Sequence, residues 1–333
     1  MDGSHRIAGK PRVIVTRRLL PENHARMKEL FDVVLNEEDR PMSRDQIIAA
    51  MQDCDVIVPT VTDRIDGEMI AAAGDRLGLI ANFGAGFEHI DLAAADARKI
   101  MVTNTPGVFT EDTADVTMAL IILATRRFGA AARVMRGGNW NGWGPSELLG
   151  HSLGGKVLGI VGMGRIGQAV ARRAIGFGLR IVYHNRNRLH AGLEGQLGAR
   201  YEPDLDRLIA EADVLSLNCP ARPETENLLD ARRIALMKRN AYVVNTARGS
   251  LIDEGALVEA LVNGKLGGAG LDVYRNEPNV DPRLMELPNV IALPHLGSAT
   301  FEGRGEAGNR VIANIKAWAD GHRPPDQVIS RFK

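Results

Sequence analysis

Short apolar runs and longer amphipathic stretches alternate along most of this chain. Between residues 11 and 103 the runs VIVT, DVVL, VIVP, LGLIANF and IMVTN are separated by helix-like segments at 23–30, 47–51, 69–73 and 92–99. Strand and helix in alternation predict a parallel sheet covered on both faces, complete within this stretch. Ser43 with Gln46 has the spacing of a capping box, and Asp91 stands where it would cap the helix behind it.

The same rhythm resumes at residue 157. Apolar runs at 157–161, 179–183, 213–217, 241–245, 267–271 and 290–293 predict a second sheet of five or six parallel strands, with a helix at 254–263 among its connections. Between the two sheets, Pro106-Gly107 breaks the chain and residues 110–135 read as one long helix whose middle, MALIILA, is apolar nearly all round. Such a helix has to be covered on several sides. The expected cover is the cleft between domains together with a second copy of the chain, so a homodimer is predicted, with residues 140–143 and their tryptophans Trp140 and Trp143 in the contact; an interior helix is the alternative. Residues 302–320 form a last helix carrying Val311, Ile312, Ile315 and Trp318 at core spacing, expected to return to the first domain. The expected architecture is therefore α/β with two doubly wound parallel-sheet domains, residues 11–103 with 298–333 and residues 104–297.

Composition narrows the partners. A chain of 333 residues is long enough for two domains, and 45% hydrophobic content is that of a globular protein. With 41 basic and 41 acidic residues there is no global field to attract nucleic acid or an anionic membrane surface. Cys54 and Cys219 have neither CxxC nor metal-ligand spacing, so no metal site is expected and both read as thiols of a reducing, cytoplasmic setting. No apolar run approaches the ~18–20 residues of a membrane span, and the polar first ten residues read as a leader outside the fold.

The chemistry enters at residues 155–185. An apolar strand runs into Gly162-Met163-Gly164-Arg165-Ile166-Gly167, then a periodic helix and a second strand. Gly162 suits the tight turn, Gly164 lets a pyrophosphate approach the main chain, and Gly167 lets the helix pack closely on the strand. The phosphates would lie over the unpaired N–H groups at the helix start. In open α/β sheets the ligand sits beyond the carboxyl ends of the strands. Polar residues follow the predicted strands at Asn82 to His89, at Thr246 to Gly249, at Asp272 to Pro278 and at Pro294 to Ser298. Arg248, Glu277 and His295 each come after a different strand of one sheet. A guanidinium grips a carboxylate through two parallel hydrogen bonds. An imidazole can hand a proton to a carbonyl oxygen as hydride arrives, and a carboxylate on its other nitrogen fixes the tautomer. Together the three suit hydride transfer between a carbonyl and an alcohol.

GMGRIG, NTARGSLIDEGALVEAL, GLDVYRNEP and LPHLGSAT, in that order, resemble the D-isomer-specific 2-hydroxyacid dehydrogenases, especially the glyoxylate and hydroxypyruvate reductases, over nearly the whole chain from Pro11. The resemblance implies a Rossmann-type cofactor domain inserted into a flavodoxin-like substrate domain, in a dimer. It implies that Arg248 binds and polarises the substrate, that Glu277 orients the histidine and that His295 is the general acid/base. It implies a substrate carboxylate on the N–H groups of Ala85 and Gly86, and a coenzyme lined by Thr113, Arg165, Ile166, Cys219, Pro220, Thr225, Thr246, Asp272 and Ser298. The implied reaction reduces a small 2-oxo acid, glyoxylate or hydroxypyruvate, to the (R)-2-hydroxy acid. Formate or phosphite dehydrogenase, and a non-catalytic nicotinamide-sensing corepressor, are the competing readings; Glu277, where formate dehydrogenases typically carry glutamine, favours proton transfer.

The choice of nicotinamide rests on the end of the second strand of the motif, where an NAD enzyme needs a carboxylate for the ribose diol. Asn185 stands there, residues 180–193 contain no acid, and Arg186 and Arg188 follow. Basic ground attracts a 2′-phosphate, so NADPH is expected to be preferred, with NAD also usable.

Overall fold

The computed structural model describes residues 9–329; of the leader expected over the first ten residues, residues 1–8 lie outside the described part. The chain forms two compact units, one from the described residues up to Phe109 together with those from Ala299 onward, the other from Thr110–Ser298.

In the first unit β1 (Arg12–Val15), β2 (Asp32–Leu35), β3 (Val56–Val58), β4 (Leu79–Ala81) and β5 (Met101–Thr103) form a parallel sheet in the order β2-β1-β3-β4-β5. Helices α1 (Pro21–Leu30), α2 (Arg44–Asp53), α3 (Gly67–Ala72) and α4 (Leu92–Ala97) make the crossovers. Every residue of β3 and β4 is buried, as expected for strands covered on both faces. The capping box is present: the Ser43 hydroxyl accepts from the Gln46 N–H while the Gln46 side chain accepts from the Ser43 N–H at 2.8 Å. Asp91 caps α4 by accepting from the Ala94 N–H at 3.0 Å.

The second unit begins with α5 (Thr110–Thr125) and α6 (Phe128–Arg136). It continues with β6 (Val157–Val161), α7 (Arg165–Gly176), β7 (Arg180–His184), α8 (Ala191–Gln196), β8 (Ala199–Tyr201), α9 (Leu205–Glu211) and β9 (Val214–Leu217). Then follow α10 (Ala231–Leu236), β10 (Ala241–Asn245), α11 (Glu254–Val262), β11 (Leu266–Leu271), α12 (Pro282–Glu286) and β12 (Val290–Ala292). The sheet has seven parallel strands in the order β12-β11-β10-β9-β6-β7-β8, rather than the five or six expected. The additional strand is β8, three residues at the edge whose sequence, Ala-Arg-Tyr, has no apolar run to announce it.

The single helix expected over residues 110–135 is two helices. Arg127 takes a left-handed conformation (φ 55°), and the Thr125 carbonyl, instead of continuing the helical ladder, accepts from the His151 N–H at 2.8 Å. The apolar girth of α5 is covered inside its own unit: Met118, Leu120 and Ile121 join the core formed with α7 and the central strands. The interior-helix alternative therefore describes α5. Exposed apolar surface lies farther on, at Phe128, Met135, Trp140, Trp143 and Leu149, and α6 buries none of its residues.

The last helix, α13 (Phe301–Ala319), starts from a Thr300 cap and packs on α1 and β4 of the first unit. Val311, Ile312, Ile315 and Trp318 complete the core under one face of that sheet with Val13, Val56 and Leu79.

Candidate active site

Beside the central strand β9 of the seven-stranded sheet, β6 turns into α7 through the glycine motif, and the strand order reverses between β6 and β9. Such a reversal opens a crevice at the carboxyl ends of the strands. The three glycines are held there for three different reasons. Gly162 has φ 97° and its α-carbon lies so close to the next loop that a Cβ would stand 2.5 Å from the Cys219 nitrogen. At Gly167 a Cβ would stand 2.3 Å from the Gly162 carbonyl oxygen, so α7 sits directly against its own turn. Gly164, by contrast, faces open space, with nothing within 4 Å of a Cβ position. A backbone left bare at that one point, before the first N–H groups of a twelve-residue helix, suits a pyrophosphate. Arg165 is exposed and Ile166 half-buried at the start of that helix. Cys219 and Pro220 follow β9, and the Thr225 hydroxyl donates to the Pro220 carbonyl at 3.0 Å, closing that loop on itself. Burial pushes the Cys219 thiol up to about 11, so it stands as a neutral thiol.

The end of β7 differs from the sequence expectation in one respect. Asn185 is there, its amide donating to the Asn187 carbonyl at 3.0 Å, and Arg186 is exposed with no ion pair among the described residues. Arg188 is engaged. Its guanidinium donates to both oxygens of Glu194 at 2.9 and 2.8 Å and lies 5.7 Å from the Tyr201 ring centroid. Glu194 stands one residue beyond the acid-free window, in α8, and its buried carboxyl meets Arg188 and the Tyr183 hydroxyl, which hold it down to about 2. The basic ground at this strand end is thus reduced from two uncompensated charges to Arg186.

Three adjacent strands, β10, β11 and β12, carry the polar trio. Arg248 follows β10; its guanidinium donates to the Ala247 carbonyl at 2.7 Å, and its charge acts on Glu277. Gly249 behind it packs so tightly that a Cβ would lie 1.9 Å from the Tyr274 carbonyl carbon, which draws the Arg248 segment onto the loop after β11. Glu277 comes from that loop, one oxygen accepting from the Tyr274 N–H at 2.9 Å and the other lying 2.7 Å from Nδ1 of His295, which follows β12. Burial raises the Glu277 carboxyl, but the hydrogen bonds from His295 and Tyr274 outweigh it, and the net shift is downward. An ionised Glu277 requires the proton of that short contact on Nδ1, which leaves Nε2 as the ring's outward nitrogen.

His295 has a left-handed backbone (φ 55°), an uncommon state for a residue with a Cβ. Asp272 holds it there. Its two oxygens accept from the Leu296 and Gly297 N–H groups at 2.6 and 2.8 Å, and burial raises its carboxyl despite those bonds. Thr113 donates to the Gly297 carbonyl at 2.9 Å, and Ser298 follows half-buried. The Thr246 and Thr117 hydroxyls meet at 2.7 Å. Two braces escaped sequence reasoning. Asn245, fully buried, donates to the Arg248 carbonyl at 2.8 Å and accepts from the Ala247 N–H; Tyr274 donates to the Leu293 carbonyl at 2.9 Å. A polar residue closing a wholly buried strand was the available signal for Asn245. Among the described residues no group of His, Cys, Asp or Glu could hold a metal, and no helix is long and apolar enough to cross a membrane. Ala85 and Gly86 belong to the first unit, in the turn after β4.

Residues 118–297 match the family model for the D-isomer specific 2-hydroxyacid dehydrogenase, NAD binding domain. The glyoxylate reductase of Thermococcus litoralis is 41% identical over 324 residues, covering 96% of this chain and 97% of the relative. That of Korarchaeum cryptofilum is 43% identical over 321 residues, with 96% of each chain covered. Among solved structures, the NADPH-dependent glyoxylate/hydroxypyruvate reductase of Sinorhizobium meliloti in complex with NADP and malonate superposes with a TM-score of 0.85 at 35% identity, over 96% of this chain and 97% of the other. With a glycine turn, an Arg, Glu and His set on neighbouring strand ends and these relatives, the chain belongs to the D-isomer specific 2-hydroxyacid dehydrogenases and is an NAD(P)-dependent dehydrogenase.

Proposed function

We propose that this enzyme reduces a short 2-oxo acid, glyoxylate or hydroxypyruvate, to its 2-hydroxy acid, with R configuration where the product is chiral, and that it prefers NADPH. The observation that carries the reading is the 2.7 Å contact between His295 and Glu277, beside the charge of Arg248. A reduced nicotinamide supplies the hydride. Arg248 grips the substrate carboxylate and polarises the C2 carbonyl. The outward nitrogen of His295 delivers the proton to the carbonyl oxygen, and the carboxylate of Glu277 stabilises the protonated imidazole beforehand. In the first unit the N–H groups of Ala85 and Gly86 are offered to the substrate carboxylate.

For the coenzyme, Gly162, Gly164 and Gly167 with Arg165 and Ile166 take the pyrophosphate, and the loop of Cys219, Pro220 and Thr225 borders it. Thr113, Thr246, Asp272 and Ser298 border the nicotinamide end. Asn185 at the ribose and the open charge of Arg186 support a 2′-phosphate, with Arg188 as a neutralised neighbour. The relatives named glyoxylate reductase and the NADP complex of the Sinorhizobium meliloti enzyme support the same assignment. Steady-state kinetics with glyoxylate and hydroxypyruvate, each with NADPH and NADH, test it. Turnover with a higher kcat/KM for NADPH is expected, with the preference falling in Arg186→Gln; no turnover of either acid would overturn the substrate assignment, and an NADH preference the coenzyme assignment.

A further inference from the structure

The turn after β4, which the sequence marks as a polar, glycine-containing stretch from Asn82 to His89, is braced from within. Asn82 is fully buried at the end of that strand, its own N–H bonded to the Thr103 carbonyl at 3.0 Å. Its side-chain nitrogen donates to two carbonyls of the turn, Gly84 at 3.2 Å and Gly86 at 2.8 Å. The carbonyl between them, that of Ala85, accepts from the Asn104 amide at 2.7 Å, and the Gly84 carbonyl accepts also from the Thr105 N–H at 2.9 Å. Three successive carbonyls are therefore turned toward the strand ends. In a trans peptide the N–H points opposite to the C=O, so the N–H groups of Ala85, Gly86 and Phe87 all point the other way. None of the three has a hydrogen-bond partner among the described residues, and Ala85 is exposed. Because the Asn82 nitrogen gives both its hydrogens to carbonyls, its oxygen must be the atom 3.0 Å from Nε2 of His89, and that ring nitrogen must carry a proton.

We propose that Asn82, oriented by His89, is a positioning residue for substrate: it aligns the peptide dipoles of residues 84–86 so that their N–H groups converge on a carboxylate without touching it itself. This rests on the reading above that the substrate carboxylate is received at Ala85 and Gly86. The physical logic is preorganisation, since donors already aimed at an anion need no reorganisation when it arrives. Asn82→Asp keeps the shape but puts carboxylate oxygens where an amide donated, repelling the carbonyls of Gly84 and Gly86 and releasing the alignment.

The test is steady-state kinetics of Asn82→Asp and His89→Leu, with oxamate as a carboxylate-bearing inhibitor and the melting temperature recorded for each. The expected result is a rise on the order of tenfold in the glyoxylate KM and the oxamate Ki together, with the KM for NADPH within twofold of the parent. Unchanged glyoxylate KM and oxamate Ki in a folded variant would overturn the proposal, as would a coenzyme KM rising in step with them. Should Asn82→Asp fail to fold, His89→Leu, which leaves Asn82 in place but unbraced, takes the same readout. On the unmodified enzyme, oxamate added to the NADPH complex should shift the amide resonances of Ala85, Gly86 and Phe87. A wild type that turns over no 2-oxo acid yet shows those shifts would remove the catalytic reading and keep the turn; turnover without the shifts would do the reverse.

Discussion

His295 and Glu277 form a unit in which the ring's hydrogen bond helps to hold the carboxylate ionised. The carboxyl of Glu277 is held below its ordinary value, so it is ionised through the neutral range and its interaction with His295 is lost only as the pH falls through the carboxylate range. Glu277→Gln replaces a charge by a dipole beside the ring, and the expected outcome is a kcat reduced on the order of tenfold with the melting temperature near that of the parent. An unchanged kcat would leave Glu277 a purely structural role. His295→Ala is expected to lower kcat/KM by the ~10²–10⁴-fold typical of a lost general acid, with its melting temperature near that of the parent because the ring is partly exposed. The trio was legible in the sequence because each member follows a strand signal directly. The braces Asn82, Asn245 and Tyr274 were legible only in part: a polar residue closing an apolar strand marks the first two, but nothing in residue type or spacing marks which backbone carbonyl a side chain will reach.

Between residue and molecule stands the strand-turn-helix of β6 and α7. Its glycines make opposite predictions. Gly164→Ala adds a methyl into open space and should fold with little change in melting temperature, yet the KM for NADPH should rise because the methyl occupies the approach to the main chain. Gly167→Ala drives a carbon into the Gly162 carbonyl and should cost at least the ~1–3 kcal/mol of an overpacked core, seen as a lower denaturant midpoint whether or not coenzyme is present. A tolerated Gly167→Ala would mean that α7 can slide off its turn.

At the neighbouring strand end, the bonds from Tyr183 and Arg188 tie α8 to β7 through Glu194. Its carboxyl, at about 2 in the folded chain against an ordinary 4.5, favours folding fully above about pH 4.5 and progressively less as the pH falls toward 2. Glu194→Gln should therefore flatten the melting temperature against pH between 4.5 and 2; an unchanged slope would place that acid sensitivity elsewhere. The helix break at Arg127 and the edge strand β8 were illegible for a shared reason. Arginine gives no notice of a left-handed turn, and a three-residue strand with one charged member carries too little periodicity to stand out.

For the molecule as a whole, the exposed apolar surface has moved off α5 and onto α6 and the segment that follows it. Trp143 is 84% exposed and Trp140 56%, with Phe128, Met135 and Leu149 nearby in sequence. Aromatic and methionine side chains on one stretch are what a subunit contact takes up, so the homodimer we propose would bury this stretch. Light scattering should return twice the 36.1 kDa chain mass, and Trp140→Lys with Trp143→Lys should return the single mass with a cooperative melt. A parent already at 36.1 kDa would overturn the dimer.

The first unit is built from two separated pieces of chain, and its sheet is roofed on one face by α13. On the ribosome, where chains emerge at ~5–20 residues per second, β1 to β5 are made long before Val311, Ile312, Ile315 and Trp318. The nascent sheet has only α1 over that side while the nucleotide-binding half is synthesised and can fold ahead of it. The order of birth and the order of maturation are thereby inverted, and the early strands stand exposed to chaperones or to one another until the last helix arrives.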